Sequence, residues 1–161
     1  MDLNCSTSRL NGFTLVELVT TIILIGIVSV VVLPRFFSSS SFSAYTLRNE
    51  FISELRQAQL RALNNTDRCY EVNVTATGYQ LRHYSARAGN SCATLIRSEA
   101  IQGFNGGASI SLVASASQSF NITFDSLGRM LSPSCAGVCF NINADDILKV
   151  AVESEGYIYA L

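Results

Sequence analysis

One carboxylate, Glu17, stands inside an apolar run, and no other residue between Phe13 and Leu33 is charged. Such a carboxylate calls for a cation, because an acidic side chain costs about 2.5 to 3.5 kcal/mol at the centre of a membrane helix and less towards its end. Near the end, where Glu17 sits, headgroup water is the alternative to a partner. Cys69, Cys92, Cys135 and Cys139 offer thiol chemistry, with a fifth cysteine, Cys5, close to the N-terminus. Cys135 and Cys139 are not spaced as C-x2-C, and the only histidine, His83, is not near a second pair, so a zinc site is not expected. A Ser/His/Asp or Cys/His centre around His83 would need distant residues to converge, and a lone strand histidine is more often a satisfied surface residue. The chain is therefore not read as an enzyme. Asn141, Asn143, Asp145 and Asp146 carry oxygen ligands that suit calcium, yet the glycine and terminal glutamate of an EF-hand loop are missing. A turn with a capping aspartate is the reading there, and neither a metal nor a cofactor is expected.

The elements that position these residues follow from the spacing of apolar side chains. Phe13 to Leu33 is a run of 21 residues. At about 1.5 Å per residue it spans about 31 Å as a helix, close to the thickness of a bilayer's hydrocarbon core. It is too long for a secretory signal peptide, and no A-x-A-like site follows it. Arg9 on the short segment before it favours a cytoplasmic N-terminus, which places residues 38–161 outside the cytoplasm. Pro34 predicts a kink, and the serines 38–41 allow a hinge. Beyond them Ala44, Leu47, Phe51, Leu55, Ala58 and Ala62 recur three and four apart, with Arg48, Glu50, Glu54, Arg56 and Arg61 largely off that stripe, which predicts an amphipathic helix ending near Asn64. Residues 13–64 together would make one long helix of about 78 Å.

After Arg68 the period changes to two. Tyr70, Val72 and Val74 alternate with Cys69, Glu71 and Asn73, the segment 75–78 turns the chain, and Tyr79, Leu81 and His83 begin a return strand. The segment 82–90 reads as a loop, 93–101 as a strand, and the glycines of 103–107 as a break. Further strands are expected at 110–113, 120–124, 138–142, 148–152 and 157–159, with turns at 125–129 and 153–156. Helix first and antiparallel sheet after it is the order of an α+β fold in which the helix packs across the sheet.

The stretch GFTLVELVTTIILIGIVSVVVLPRFF, from Gly12 to Phe37, resembles the N-terminal segment of type IV pilins and type II secretion pseudopilins. The resemblance implies a type IV pilin-like fold, with the long N-terminal α-helix packed on an antiparallel β-sheet. It implies that residues 1–12 are a leader, that a prepilin peptidase cuts after Gly12, and that the same enzyme methylates Phe13. It also implies that Glu17 pairs with the N-terminal amine of a neighbouring subunit during filament assembly. The domains would then be the leader, a transmembrane half of the helix at 13–37, its amphipathic half at 38–64 and a β-rich extracytoplasmic domain at 65–161. The implied partners are the prepilin peptidase, major and minor pilins, the inner-membrane assembly platform and, before assembly, inner-membrane lipid. The implied location is the bacterial inner membrane and the extracellular pilus.

ITFDSLGR at 122–129 and the ending LKVAVESEGYIYA are similar to minor pilins of the mannose-sensitive haemagglutinin (MSHA) type and to H-type pseudopilins. A minor pilin that joins or primes such a pilus and contributes to surface adhesion is the function implied, with an H-type pseudopilin of type II secretion as the alternative.

With the leader gone, four cysteines remain in a chain bound for an oxidising compartment, so two disulfides are expected. Four cysteines allow three connectivities, which sequence alone does not decide; Cys69 with Cys92 and Cys135 with Cys139 is favoured because each closes a short loop. The chain has 161 residues, 14% of them charged, and a net charge of -1, which gives nucleic acid little to bind. Its ending has no lysine or arginine after Lys149, so a DNA- or surface-binding pilin would need Arg82, Arg87 and Arg97 to gather into a patch.

Overall fold

The computed structural model describes the backbone of residues 13–36 and 39–161, and the side chains of 13–29 and 43–161. The leader 1–12, with Cys5, Arg9 and Gly12, lies outside the described residues, as do 37 and 38; of the serines 38–41 expected to allow a hinge, Ser39 to Ser41 are the first residues of a helix. The chain divides into two compact units, one ending at Ser38 and the other running from Ser39 to Leu161.

The first unit holds α1, Leu15–Phe36, which continues past Pro34 by two residues. Its large apolar side chains from Phe13 to Val28 are exposed, Phe13 by 81%. A helix that is apolar all round must be covered by something apolar. Among the described residues no helix is long and apolar enough to cross a membrane. The side chains described on α1 stop at Ser29, and the apolar run in the sequence continues to Leu33.

The second unit opens with α2, Ser39–Asn64. Every residue of the expected stripe is buried, with Ala44, Phe51, Leu55, Ala58 and Ala62 at 0% exposure and Leu47 at 6%. Twelve strands follow. They are β1 (Cys69–Thr75), β2 (Gly78–Tyr84), β3 (Arg87–Ala88), β4 (Ser91–Cys92), β5 (Leu95–Ser98), β6 (Gln102–Gly103), β7 (Ser109–Leu112), β8 (Phe120–Phe124), β9 (Met130–Ser132), β10 (Gly137–Asn143), β11 (Ile147–Val152) and β12 (Ile158–Ala160).

The strands form two antiparallel sheets and a ribbon rather than one sheet. A six-stranded sheet has the order β5-β2-β1-β8-β9, with β6 also on β2, and a four-stranded sheet has the order β12-β11-β10-β7. The expected loop at 82–90 is partly strand: β2 reaches Tyr84, and β3 pairs with β4. Phe51 joins the layers, its ring meeting Tyr79 of the first sheet and Phe140 of the second edge-on, both at 5.5 Å.

Strand β1 is buried on both faces, which alternation alone does not require. Val72 and Val74 belong to the core. On the other face Glu71 accepts from the Tyr84 hydroxyl at 2.8 Å, and the Asn73 amide donates to Asn121 at 2.6 Å. The ribbon is tied to this sheet by the Cys69–Cys92 disulfide and by a Thr123 hydroxyl bond to the Asn90 carbonyl, 3.0 Å.

Candidate functional site

At the start of α1, Thr14 caps the helix: its hydroxyl accepts from the backbone N–H of Glu17 at 3.2 Å, and its carbonyl takes the N–H of Leu18. Thr14-x-x-Glu17 is the spacing of a capping box, and an acidic residue in the first turn also suits the positive end of the helix dipole. The other hydroxyls on this stretch turn inward. Thr20 donates to the Glu17 carbonyl at 3.0 Å, Thr21 to Leu18 at 2.8 Å and Ser29 to Ile25 at 2.7 Å. Each therefore satisfies itself within the helix. The Glu17 carboxylate does not, since no side-chain bond reaches it among the described residues, and both it and Phe13 are exposed.

The two C-terminal motifs meet on α2. Each makes a tight turn of the form acidic-Ser-x-Gly. Gly128 donates to the Asp125 carbonyl at 3.1 Å, and Gly156 to that of Glu153 at 2.9 Å. The Asp125 and Glu153 amides close the turns onto Arg129 and Tyr157 at 2.8 and 2.9 Å. Both glycines have positive φ, 81° and 90°, as hairpin turns with a glycine bulge require. Gln59 bridges the pair, its amide nitrogen donating to the Gly128 carbonyl at 2.6 Å and to that of Gly156 at 2.7 Å. Arg56 takes the Ile158 carbonyl at 2.6 Å and Arg48 that of Leu161 at 3.1 Å, so three polar residues of α2 latch the C-terminal segment. Gln59 escapes sequence reading because it resembles any polar residue off the apolar stripe. The repeated Asp-Ser-Leu-Gly and Glu-Ser-Glu-Gly were its available signal.

His83 is satisfied but sits in a charged cluster, with its side chain 15% exposed. Its Nε2 lies 2.8 Å from Glu99 Oε1 and 2.9 Å from Arg61, and Arg61 donates to Glu99 at 2.6 Å. The Arg61 hydrogen bond, outweighing burial, holds the Glu99 carboxyl below its ordinary range. Burial, with Glu99 nearby, pushes Glu54 up.

The three middle arginines do not gather into an open patch. Arg82 faces Glu71 at 3.9 Å, Arg97 faces Glu99 at 3.5 Å, and the terminal nitrogens of Arg87 are buried. Asp145 and Asp146 lie in the turn between β10 and β11, and Asn143 donates to the Ser111 hydroxyl at 2.9 Å. Among the described residues no group of His, Cys, Asp and Glu is placed to hold a metal. Disulfides join Cys69 to Cys92 and Cys135 to Cys139.

The architecture, a long N-terminal helical segment followed by antiparallel sheets packed on α2, is the type IV pilin fold. Two crystal forms of the type IV minor pilin FimU from Pseudomonas aeruginosa share it, with TM-scores of 0.53 and 0.51 and 16% sequence identity to this chain. Each match covers 73% of this chain, and 87% or 91% of FimU. No protein-family model matches the chain, and no curated protein does.

Proposed function

We propose that the chain is a minor pilin, held in the inner membrane by the apolar run from Phe13 and then drawn into a type IV filament. The observation that carries this reading is the state of Glu17. Among the described residues its carboxylate has no side-chain partner, the hydroxyls of Thr20, Thr21 and Ser29 bond within the helix, and that helix precedes a domain with the pilin fold. Removal of residues 1–12 after Gly12 would leave the amine of Phe13 four residues before Glu17. In an apolar environment the ammonium and the carboxylate each need an opposite charge, and breaking such a buried pair costs about 3 to 5 kcal/mol. Subunits stacked in the wrong register leave both groups unpaired, so the pair selects the register. A kink at Pro34 fits the helix to its neighbours. The prepilin peptidase, other pilins and the assembly platform are the partners this role needs.

The finer reading is a minor pilin of the MSHA type, resembling MshC and serving surface adhesion through the filament. Its support is that ITFDSLGR and LKVAVESEGYIYA, the motifs behind that resemblance, are the two turns that Gln59 joins. An H-type pseudopilin rests on the same motifs, and co-purification with pili rather than with a secretion machine separates the two.

The test is intact mass and N-terminal analysis from native membranes. The expected species begins at a methylated Phe13, and Gly12→Ala retains the leader. Glu17→Ala is expected to be processed yet absent from purified pili, and normal incorporation of that variant would sink the pairing.

A further inference from the structure

The chain from Leu95 to Gly103 forms one margin of the six-stranded sheet, with β5 and β6 lying along β2 and the Glu99 amide donating to the Leu81 carbonyl between them at 2.8 Å. Its other side pairs with no strand among the described residues. Proteins usually blunt such an edge with charges or a bulge. Here a bulge lies opposite Tyr84, and Arg97 and Glu99 supply charges. Yet Leu95, Ile96 and Ile101 are 48%, 55% and 63% exposed along the same margin.

The order of residues removes the charge barrier for one partner in particular. LIRSEAI, residues 95–101, is complementary to itself when reversed about Ser98. An antiparallel copy sets Arg97 opposite Glu99, Ile96 opposite Ala100 and Leu95 opposite Ile101, and the two-fold axis repeats each pair. Opposite charges and apolar neighbours across strands stabilise, whereas like charges repel. The backbone fits the same register: Glu99 bonds inward to β2, so the alternate residue Ser98 turns its N–H and C=O outward. Arg61, His83 and Arg97 of the same chain lie 2.6, 2.8 and 3.5 Å from the Glu99 carboxylate, and the Arg97 side chain, 64% exposed, is still open to a second carboxylate across the edge. The geometry points to a second copy of this chain as the occupant of the edge, with β5 of each copy pairing antiparallel to residues 99–101 of the other about Ser98 to make one sheet across two subunits. This contact is separate from α1 and does not depend on the pairing of Glu17.

The test uses the full chain in detergent micelles, with Cys5→Ser in every variant and copper-phenanthroline as the oxidant. In the proposed register the two Ser98 Cα atoms lie about 5.5 Å apart, within disulfide reach. The two Gln102 positions are separated by about 27 Å along the strands. Ser98→Cys is expected to give a dimer on a non-reducing gel and Gln102→Cys none. Adding Arg97→Glu to Ser98→Cys sets like charges opposite each other twice and is expected to lower the dimer yield about tenfold. No dimer from Ser98→Cys, equal yields at the two positions, or a yield untouched by Arg97→Glu would each overturn the proposal.

Discussion

Asp125 holds its turn almost alone. One carboxylate oxygen accepts from the amides of Leu127 and Arg129 at 2.9 and 2.8 Å, and the other takes the Arg129 guanidinium at 2.8 Å. Burial on its own would raise this carboxyl, but the Arg129 and Leu127 bonds outweigh it and hold the pKa below the ordinary aspartate value. A group lowered in this way contributes stability that is present above its unfolded pKa of about 3.9 and is lost as pH falls through the folded value. Asp125→Ala should therefore cost about 1.5 to 3 kcal/mol at neutral pH, the range for bonds to a charged group. The gap between variant and parent should shrink as the pH is lowered below about 4. Urea unfolding of both proteins at pH 7 and pH 3 checks this, and an undiminished gap at pH 3 would show that the carboxylate bonds are not the cause.

At the scale of elements, the two acidic-Ser-x-Gly turns belong to different sheets, one closing β8 onto β9 and the other β11 onto β12, and α2 joins them through Gln59. The approach is close. A Cβ on Gly156 would run into the Gly128 carbonyl and come within 2.7 Å of the Gln59 amide, whereas a Cβ on Gly89, also at positive φ, would meet open space. Gly89→Ala should lose about 1 to 2 kcal/mol for its backbone conformation alone. Gly156→Ala adds an overpacking cost and should lose about 2 to 5 kcal/mol. Thermal unfolding ranks the two variants, and equal losses would mean that the turns yield easily. Both turns were legible in the sequence because glycine after an acidic residue marks them, and α2 was legible because its stripe follows the helical period to Ala62. The division into two sheets was not, since a period of two says that a strand has faces but not which strand lies beside it. Strand β9 has three residues, too few for a period, and the ribbon β3–β4 depends on a pairing that alternation does not encode. Glu17 was legible as a charge out of place. Its cap was also present in Thr14-x-x-Glu17, a spacing masked by the apolar run around it.

For the whole molecule, the domain from Ser39 to Leu161 owes its order to a shared core and to two covalent ties of unequal reach. Cys69–Cys92 spans 23 residues and fastens the ribbon to β1, whereas Cys135–Cys139 spans four. On the chain-entropy account a cross-link stabilises by restricting the unfolded chain, which gives about 3.5 kcal/mol for the longer loop and about 2 kcal/mol for the shorter. The longer one has a second effect, because the ribbon it secures lies beside the polar face of β1, where Glu71 and Asn73 are 5% and 9% exposed. Once the tie is cut, that face is freer to open to water, whereas a four-residue loop governs only its own turn. The double variant Cys69→Ala/Cys92→Ala should therefore unfold at a temperature about 7 to 14 °C lower than the parent. Cys135→Ala/Cys139→Ala should fall by roughly half as much. The comparison is made by circular dichroism under non-reducing conditions, following the β-sheet signal so that α1 does not set the midpoint. If the short-loop variant proved the less stable, the order of the domain would rest on the segment before β10 rather than on the ribbon across β1.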